Sequence, residues 1–165
     1  MQLSLHSDYA LRVLMALAAG NRQLSVDEIA RRYDISRHHL AKVAQRLQAE
    51  GLVETFRGRG GGMRLAQPAG EIVVGEVVRR FENLDSFVGC FPEGSGCAVS
   101  GLCSLKPALA GALEAFLAHL DGYRLSDLVP DRAAFIQRLE RLAAEAGKPA
   151  PARNAGRREI QPPQA

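Results

Sequence analysis

A mainly α-helical fold with one small β-hairpin is predicted for this 165-residue chain by three observations. Apolar residues recur at helical spacing from about Ser7 to Ala19, through Leu40, Val43, Ala44 and Leu47, and from about Leu105 to Leu120. Two short strand-like runs flank the glycine-rich stretch Arg57-Gly58-Arg59-Gly60-Gly61-Gly62. All the cysteines (Cys90, Cys97 and Cys103) fall in one segment rich in Gly, Ser and Pro. The architecture these imply is a winged helix-turn-helix, a cysteine loop and a long helix suited to dimerisation.

The first helix, about Ser7 to Ala19, carries Ala10, Val13, Leu14 and Leu17 on one face and Leu11, Met15 and Ala18 on another. A helix apolar on two faces is covered on both, by its own domain and by a partner chain as a further option. Ser25-Val26-Asp27-Glu28 has the form of a capping box and opens a short helix to Tyr33. Ser36 is the expected N-cap of the next helix, which runs to Glu50 and is closed by Gly51. Ala30 allows the two helices to approach, and Ile35 plugs the turn. In the second helix Leu40, Val43, Ala44 and Leu47 face inward, while Arg37, His38, Lys42, Gln45 and Arg46 project elsewhere.

Two short helices joined by a tight turn, the second basic on its outer face, form the pattern of a helix-turn-helix. Leu52 to Phe56 and Met63 to Ala66 then read as the strands of a basic hairpin, the wing. Its arginines suit a narrow, electronegative minor groove. A phosphate-binding loop would instead open a helix and carry a Lys-Ser/Thr pair, and neither follows here. The other alternative is a flexible hairpin with solvated arginines.

Beyond Pro68-Ala69-Gly70 a helix is expected over Ile72–Glu82, with Ile72, Val73, Val77 and Phe81 available for packing. The cysteine loop follows. The helix from about Leu105 to Leu120 aligns Leu109, Leu113, Phe116, Leu117 and Leu120, and serves either as a dimer seam or as an internal core helix. A further amphipathic segment spans residues 131–146. Residues 147–165, rich in Pro, Ala, Arg and Gln, read as a disordered basic tail. The expected organisation is therefore a DNA-binding domain at 1–66, a cluster loop and dimerisation region at 67–130, a C-terminal helix at 131–146 and the tail.

Charge is uneven along the chain. Residues 1–66 hold ten Lys/Arg against six Asp/Glu, a net +4, and residues 67–147 hold seven against eleven, a net −4. A basic N-terminal part suits a polyanion such as nucleic acid, although charge alone also fits an ordinary surface. The N-terminal residues lack the features of a signal peptide, and the longest apolar stretch, Val13 to Ala19, is far too short to span a bilayer. A cytoplasmic protein is expected, without a membrane partner. In a reducing compartment, clustered cysteines favour metal or redox chemistry over structural disulfides. Three thiolates are one ligand short of the four that structural zinc or an iron–sulfur cluster takes. No constellation of residues supports hydrolysis, and an enzyme is not expected.

Taken together these residues resemble a known family, the bacterial winged-helix transcriptional repressors whose dimers carry an iron–sulfur cluster. The resemblance covers roughly residues 1–130. It is carried by Asp8-Tyr9-Ala10-Leu11-Arg12, Ile29-Ala30, Ile35-Ser36, Leu40, Leu47, Gly51-Leu52-Val53, Arg57-Gly58, Gly61-Gly62, Leu65-Ala66, the three cysteines and Leu125-Ser126-Asp127-Leu128. The cluster-homeostasis members place a histidine three residues past the last cysteine, where this chain has Lys106 followed by Pro107. The nitric-oxide-sensing members use an acidic residue near the N-terminus, contributed by the other subunit, and Asp8 stands at that position. A type holding a two-iron cluster uses Glu and His on the first helix, where this chain has Asp8 and Arg12. The first cysteine gap is one residue longer than is common in the family, which a flexible Gly-Ser-Gly absorbs.

The resemblance implies a homodimer holding a [4Fe-4S] cluster, with [2Fe-2S] as the alternative. Cys90, Cys97 and Cys103 of one protomer and Asp8 of the other would be its ligands, with Arg12 steadying Asp8 from one helical turn away. It further implies repression at a palindromic operator in double-stranded DNA, relieved by nitric oxide. Ser36, Arg37, His38, His39, Lys42 and Gln45 would then lie at the major groove or its flanking phosphates, and Arg57 and Arg59 at the minor groove. His38 and His39 are adjacent on a helix and point about 100° apart, which makes shared metal ligation awkward. His6 and His119 read as ordinary surface or core residues. Two rival readings are a zinc-stabilised or thiol-switch repressor of the same fold, which would be colourless, and an electron-transfer protein, which would leave the basic wing unexplained.

Overall fold

The computed structural model describes residues 3–20, 22–58, 60–86, 88, 97–99 and 102–146. Cys90, Arg59 and the tail 147–165 lie outside the described residues. The described elements are six helices and one two-stranded antiparallel sheet.

Helix α1 spans Leu5–Ala19. It starts two residues earlier than the apolar periodicity suggests, because Ser4 caps it: the Ser4 hydroxyl accepts from the Ser7 N–H at 3.2 Å. Helix α2, Val26–Tyr33, opens on the expected capping box. Ser25 Oγ accepts from the Glu28 N–H at 3.2 Å, and Glu28 Oε2 accepts from the Ser25 N–H at 2.9 Å. Asp34 ends α2 in the left-handed region at φ +53°, turning the chain into α3, Arg37–Ala49. Ser36 occupies the N-cap position of α3, but its hydroxyl makes no capping bond. It is exposed, and a helix start open to water needs no side-chain cap for its first N–H groups. Gly51, at φ +70°, closes α3 as predicted.

Strands β1, Val53–Phe56, and β2, Gly62–Leu65, pair with Val53 opposite Leu65 and Phe56 opposite Gly62. Leu24 adds a single bridge to β2. Its N–H and carbonyl exchange bonds with Met63 at 3.1 and 2.8 Å, which ties the wing to the entry of α2. A Cβ at position 62 would stand 2.8 Å from the Leu24 carbonyl oxygen, so glycine there serves the fold.

Helix α4 spans Val74–Phe81, starting later than expected. Ile72 and Val73 are instead extended: Val73 bridges Arg124, and the Leu125 N–H donates to the Ile72 carbonyl at 2.9 Å. This pairing docks the 3-10 turn Leu125–Leu128 onto the core, where Leu125 is fully buried. Helix α5 runs Leu105–Asp121 and α6 runs Arg132–Ala146.

The core is built around α1, which packs against α3, α4, β2 and α6. Leu14, Leu24, Ile29, Leu40, Leu47, Met63, Ile72 and Leu125 are among its fully buried large side chains. Leu11 and Met15, on the second apolar face of α1, are half-buried against this core. Helix α6 packs across α1 and α2, so part of that cover comes from the same chain. By contrast α5 stands off the core. It packs on α4, and only Leu117 of its apolar side chains is buried.

The capping box also gives the chain an acid-labile contact. Glu28 is held down to about 2 from an ordinary 4.5, first by the hydrogen bond from Arg22 (2.8 Å), against the opposing effect of burial, and then by Ser25. A carboxyl depressed on folding contributes stability that is complete above its unfolded value and is lost as pH falls through the folded one. Between pH 4.5 and about 2 the wild-type chain should therefore lose stability that Glu28→Gln, lower from the outset, does not lose. Urea midpoints at pH 7, 4 and 3 check this, and parallel declines in the two proteins would contradict it.

Candidate nucleic-acid interface and metal-ligand residues

Leu40, Val43, Ala44 and Leu47 anchor α3 in the core, so its opposite face is presented outward. Ser36, Arg37, His38, His39, Lys42 and Gln45 are all exposed on or beside that face. Ser36 and the five residues of α3 singled out from the sequence are thus all open to solvent. Arg37 is not a free cation, however: its Nε donates to Asp27 Oδ1 of α2, bracing the turn. The His38 and His39 rings lie 6.1 Å apart and tilted by 53°, splayed as their adjacency requires. His39 and Lys42 also line a cavity of about 300 Å³ with Leu5, His6, Tyr9 and Val43, where α1 meets α3.

Arg57 is exposed at the end of β1. The wing is braced from below. Arg64 donates to Glu54 Oε2 at 2.8 and 3.0 Å and lies 4.8 Å over the Phe56 ring, and Thr55 donates to Gln48 of α3 at 3.0 Å. The Arg64 contacts stiffen the hairpin itself, and the Thr55 bond ties it to α3.

Asp8 lies in the first turn of α1, where a carboxylate is favoured by the helix dipole. Arg12 Nε donates to Asp8 Oδ2 at 2.9 Å. Both side chains are partly exposed, at 44% for Arg12 and 39% for Asp8, so the pair adds little stability of its own. It orients the carboxylate instead. The Arg12 guanidinium also lies 5.7 Å over the ring of Tyr33, the last residue of α2. The Tyr33 hydroxyl is buried with no hydrogen-bond partner among the described residues, and burial pushes it up to about 12 against the pull of Arg12 and Arg32.

Cys97 and Cys103 are free thiols, both half-buried, and Cys103 stands just before α5. Soft sulfur donors of this kind suit iron–sulfur clusters or zinc. Among the described residues of one chain, no three His, Cys, Asp or Glu side chains converge on a metal position. The donor types fit a cluster; the described residues of one chain do not complete its ligand set.

Two features escaped the sequence reading. Arg46, expected to project outward with the other polar residues of α3, is half-buried instead. It donates to the Arg80 carbonyl and lies 4.8 Å over the ring of Phe81 in α4. Glu82 accepts the Ser4 N–H at 2.7 Å. Burial works to raise its carboxyl, but bonds from Ser7 and Ser4 outweigh that and hold it below its ordinary value, a charged acceptor at the start of α1. Neither arrangement has a motif; both bind partners distant in sequence. His6 stacks on Phe81 and His119 packs edge-on to Tyr123, both in structural settings. Among the described residues no helix is long and apolar enough to cross a membrane.

The chain is similar to two transcriptional regulators over most of its length. It is 47% identical over 137 residues to the HTH-type transcriptional regulator NsrR of Geobacillus kaustophilus (strain HTA426), covering 81% of this chain and 93% of that protein. It is 46% identical over 143 residues to the HTH-type transcriptional regulator NsrR of Bacillus subtilis (strain 168), covering 85% and 98%. Among solved structures, CymR, the global cysteine regulator of B. subtilis, superimposes with a TM-score of 0.64 at 26% identity, over 79% of this chain and 97% of that one. IscR of T. potens does so at 0.65 and 24% identity, over 82% and 90%, a likeness of fold. Residues 3–131 match the family model of Rrf2, described as an iron-dependent transcriptional regulator. With the family matched across the helix-turn-helix, the wing, the cysteines and the long helix, this chain belongs to the Rrf2 family and is an NsrR-like transcriptional regulator, not an enzyme.

Proposed function

We propose that the chain is a cytoplasmic, homodimeric DNA-binding repressor that holds a [4Fe-4S] cluster and releases a palindromic operator when nitric oxide disrupts that cluster. Cys90, Cys97 and Cys103 of one protomer and Asp8 of the other are the ligands in this reading. Bound there, the cluster supplies an iron open to attack by a small diatomic molecule.

The observation that carries the reading is the Asp8–Arg12 pair. Arg12 holds one carboxylate oxygen at 2.9 Å on a partly exposed face of α1. A carboxylate oriented outward in this way suits a ligand offered to another molecule. A second protomer is the simplest source of thiolates for it, and a shared site is natural in a twofold dimer. The DNA-binding half of the reading is supported by the exposed polar face of α3 and the braced wing. Ser36, Arg37, His38, His39, Lys42 and Gln45 would meet the major groove or its phosphates, and Arg57 and Arg59 the minor groove.

The test begins with anaerobic purification. The wild-type chain is expected to be brown, with visible absorption and equal amounts of iron and sulfide. Asp8→Ala should leave the cluster-free fold intact, by circular dichroism, yet lose its cluster on exposure to a chelator about tenfold faster or more. Arg12→Ala should do so by about 10–100-fold, as removal of an outer partner typically does. Colourless protein containing zinc, or protein that takes up no iron on reconstitution, would overturn the proposal.

A further inference from the structure

The C-terminal end of α3 is fastened to the C-terminal end of α4 by a reciprocal exchange. Arg46 of α3 donates through Nη2 to the carbonyl of Arg80, and Arg80 donates through Nη1 to the carbonyl of Glu50 at 3.1 Å. Each guanidinium thus satisfies a carbonyl at the end of the other's helix, where helices leave acceptors unpaired and where cations are favoured. The Arg46 guanidinium is also seated 4.8 Å over the Phe81 ring. Glu76, one turn back on α4, lies 3.9 Å from the Arg80 guanidinium.

The position of this clamp matters. Phe81 is the last residue of α4, and the chain continues through the 3-10 turn Leu84–Ser86 towards the cysteine segment. Glu82, the next residue, holds the Ser4 N–H at the start of α1, one turn before Asp8. His6 of α1 stacks on Phe81, with ring centroids 6.4 Å apart. The end of α4, from which the chain leads on to the cysteines, the start of α1 and the end of α3 therefore meet at one junction, and Arg46 joins α3 to it.

We propose that Arg46 is a positioning residue that passes the state of the cysteine segment to α3 within a single protomer. It contacts the backbone and ring of the segment leading into the cysteines, and it acts on DNA only through the placement of α3. This inference rests on the cluster-dependent repressor reading above.

Operator affinity is measured by fluorescence anisotropy for cluster-loaded and cluster-free full-length wild type, Arg46→Met and Arg46→Lys. Arg46→Met keeps an unbranched stem against Phe81 but loses the guanidinium. Arg46→Lys also keeps the charge, so its cluster-free affinity should stay at the wild-type value. The wild-type ratio of loaded to cluster-free affinity should be tenfold or more, within the usual range of coupling between sites. In both variants it should fall to about threefold or less, with iron content and visible absorption unchanged. A second readout needs no DNA. Loading the cluster should slow amide hydrogen exchange over residues 45–50 in the wild type and leave it unchanged in Arg46→Met. Variants that retain the full wild-type ratio and exchange response would overturn the role of Arg46 while leaving the repressor reading intact. A wild-type chain that takes up iron but shows a ratio near one would instead overturn the cluster-dependent reading, and the role of Arg46 with it.

Discussion

Nitric oxide added anaerobically to the cluster-loaded dimer is expected to lower its operator affinity by about 5–150-fold, the range spanned by a coupling free energy of roughly 1–3 kcal/mol. The size of the effect follows from which ligand is weakest. In the proposed ligand set Asp8 would offer a hard oxygen among soft sulfurs, and such a donor exchanges more readily than a fourth thiolate. Arg12 binds the same carboxylate at 2.9 Å, so it competes for charge that would otherwise go to the metal, while keeping the group in position for ligation. In the proposed dimer, loss of Asp8 from the cluster would remove the cross-subunit link through α1. Helix α1 packs directly on α3, so the spacing of two recognition helices across the twofold axis would change with it. Dimers read half-sites at a fixed helical separation, and a small change in that separation is sufficient to weaken both contacts. The measurement is anisotropy of a labelled operator during a nitric oxide titration, with visible absorption followed in the same cuvette. Affinity should fall in step with the absorption and end at the value for cluster-free protein. Binding that stays equally tight after the absorption has gone would exclude this mechanism.

Legibility in the sequence followed the range of each interaction. The capping box at Ser25 and Glu28, the stop at Gly51 and the Asp8–Arg12 pair each involve residues within a turn of one another, and each was readable before the fold was known. The wing was readable because strand alternation and a glycine-rich turn are also local. What failed to show was long-range. Ile72 and Val73 carry a helix-compatible pattern, yet they are extended because their backbone pairs with Arg124 and Leu125, far along the chain. Arg37 read only as a polar residue directed away from the core, and nothing local pointed to its ion pair with Asp27 on another helix. Arg46 is the clearest case. A bond from its guanidinium to the backbone carbonyl of Arg80, 34 residues away, places no demand on the identity of residue 80 and so leaves no trace in the sequence. The site is split in the same way. The cysteines stand out by composition and spacing and Asp8 only through the family resemblance, whereas in the ligand set proposed above their convergence would need a second protomer, and Cys90 lies outside the described residues.

A single charge in the middle of α5 should dissociate the dimer and lower operator affinity by about 10²–10⁴, the gain that linking two binding modules ordinarily provides. The helix spans 17 residues, a length of about 25 Å. Leu105, Leu109, Leu113, Phe116 and Leu120 follow one another along it at helical spacing. Leu105 is 60% exposed, the others are half-buried, and only Leu117 is fully withdrawn into the chain's own packing. Near its C-terminal end α5 is tied to α4 by Arg79 and Asp121, a two-point ion pair at 2.5 and 2.7 Å. That tether orients the helix while leaving its apolar stripe uncovered. A stripe of this length needs a partner, and in a homodimer the same stripe on a second copy is self-complementary across the twofold axis. Leu113→Arg would place two like charges near that axis, in a surface that excludes water, which is unfavourable for both protomers at once. The substitution touches little of the protomer's own core, so its helix content by circular dichroism should match the wild type. Sedimentation should show monomer where the wild type is dimer. The cluster should be lost as well, since the proposed ligand set takes Asp8 from the other protomer. If the variant still sediments as a dimer at the same concentration, or binds a palindromic operator as tightly as a monomer, then α5 is not the seam and the outward stripe has another role.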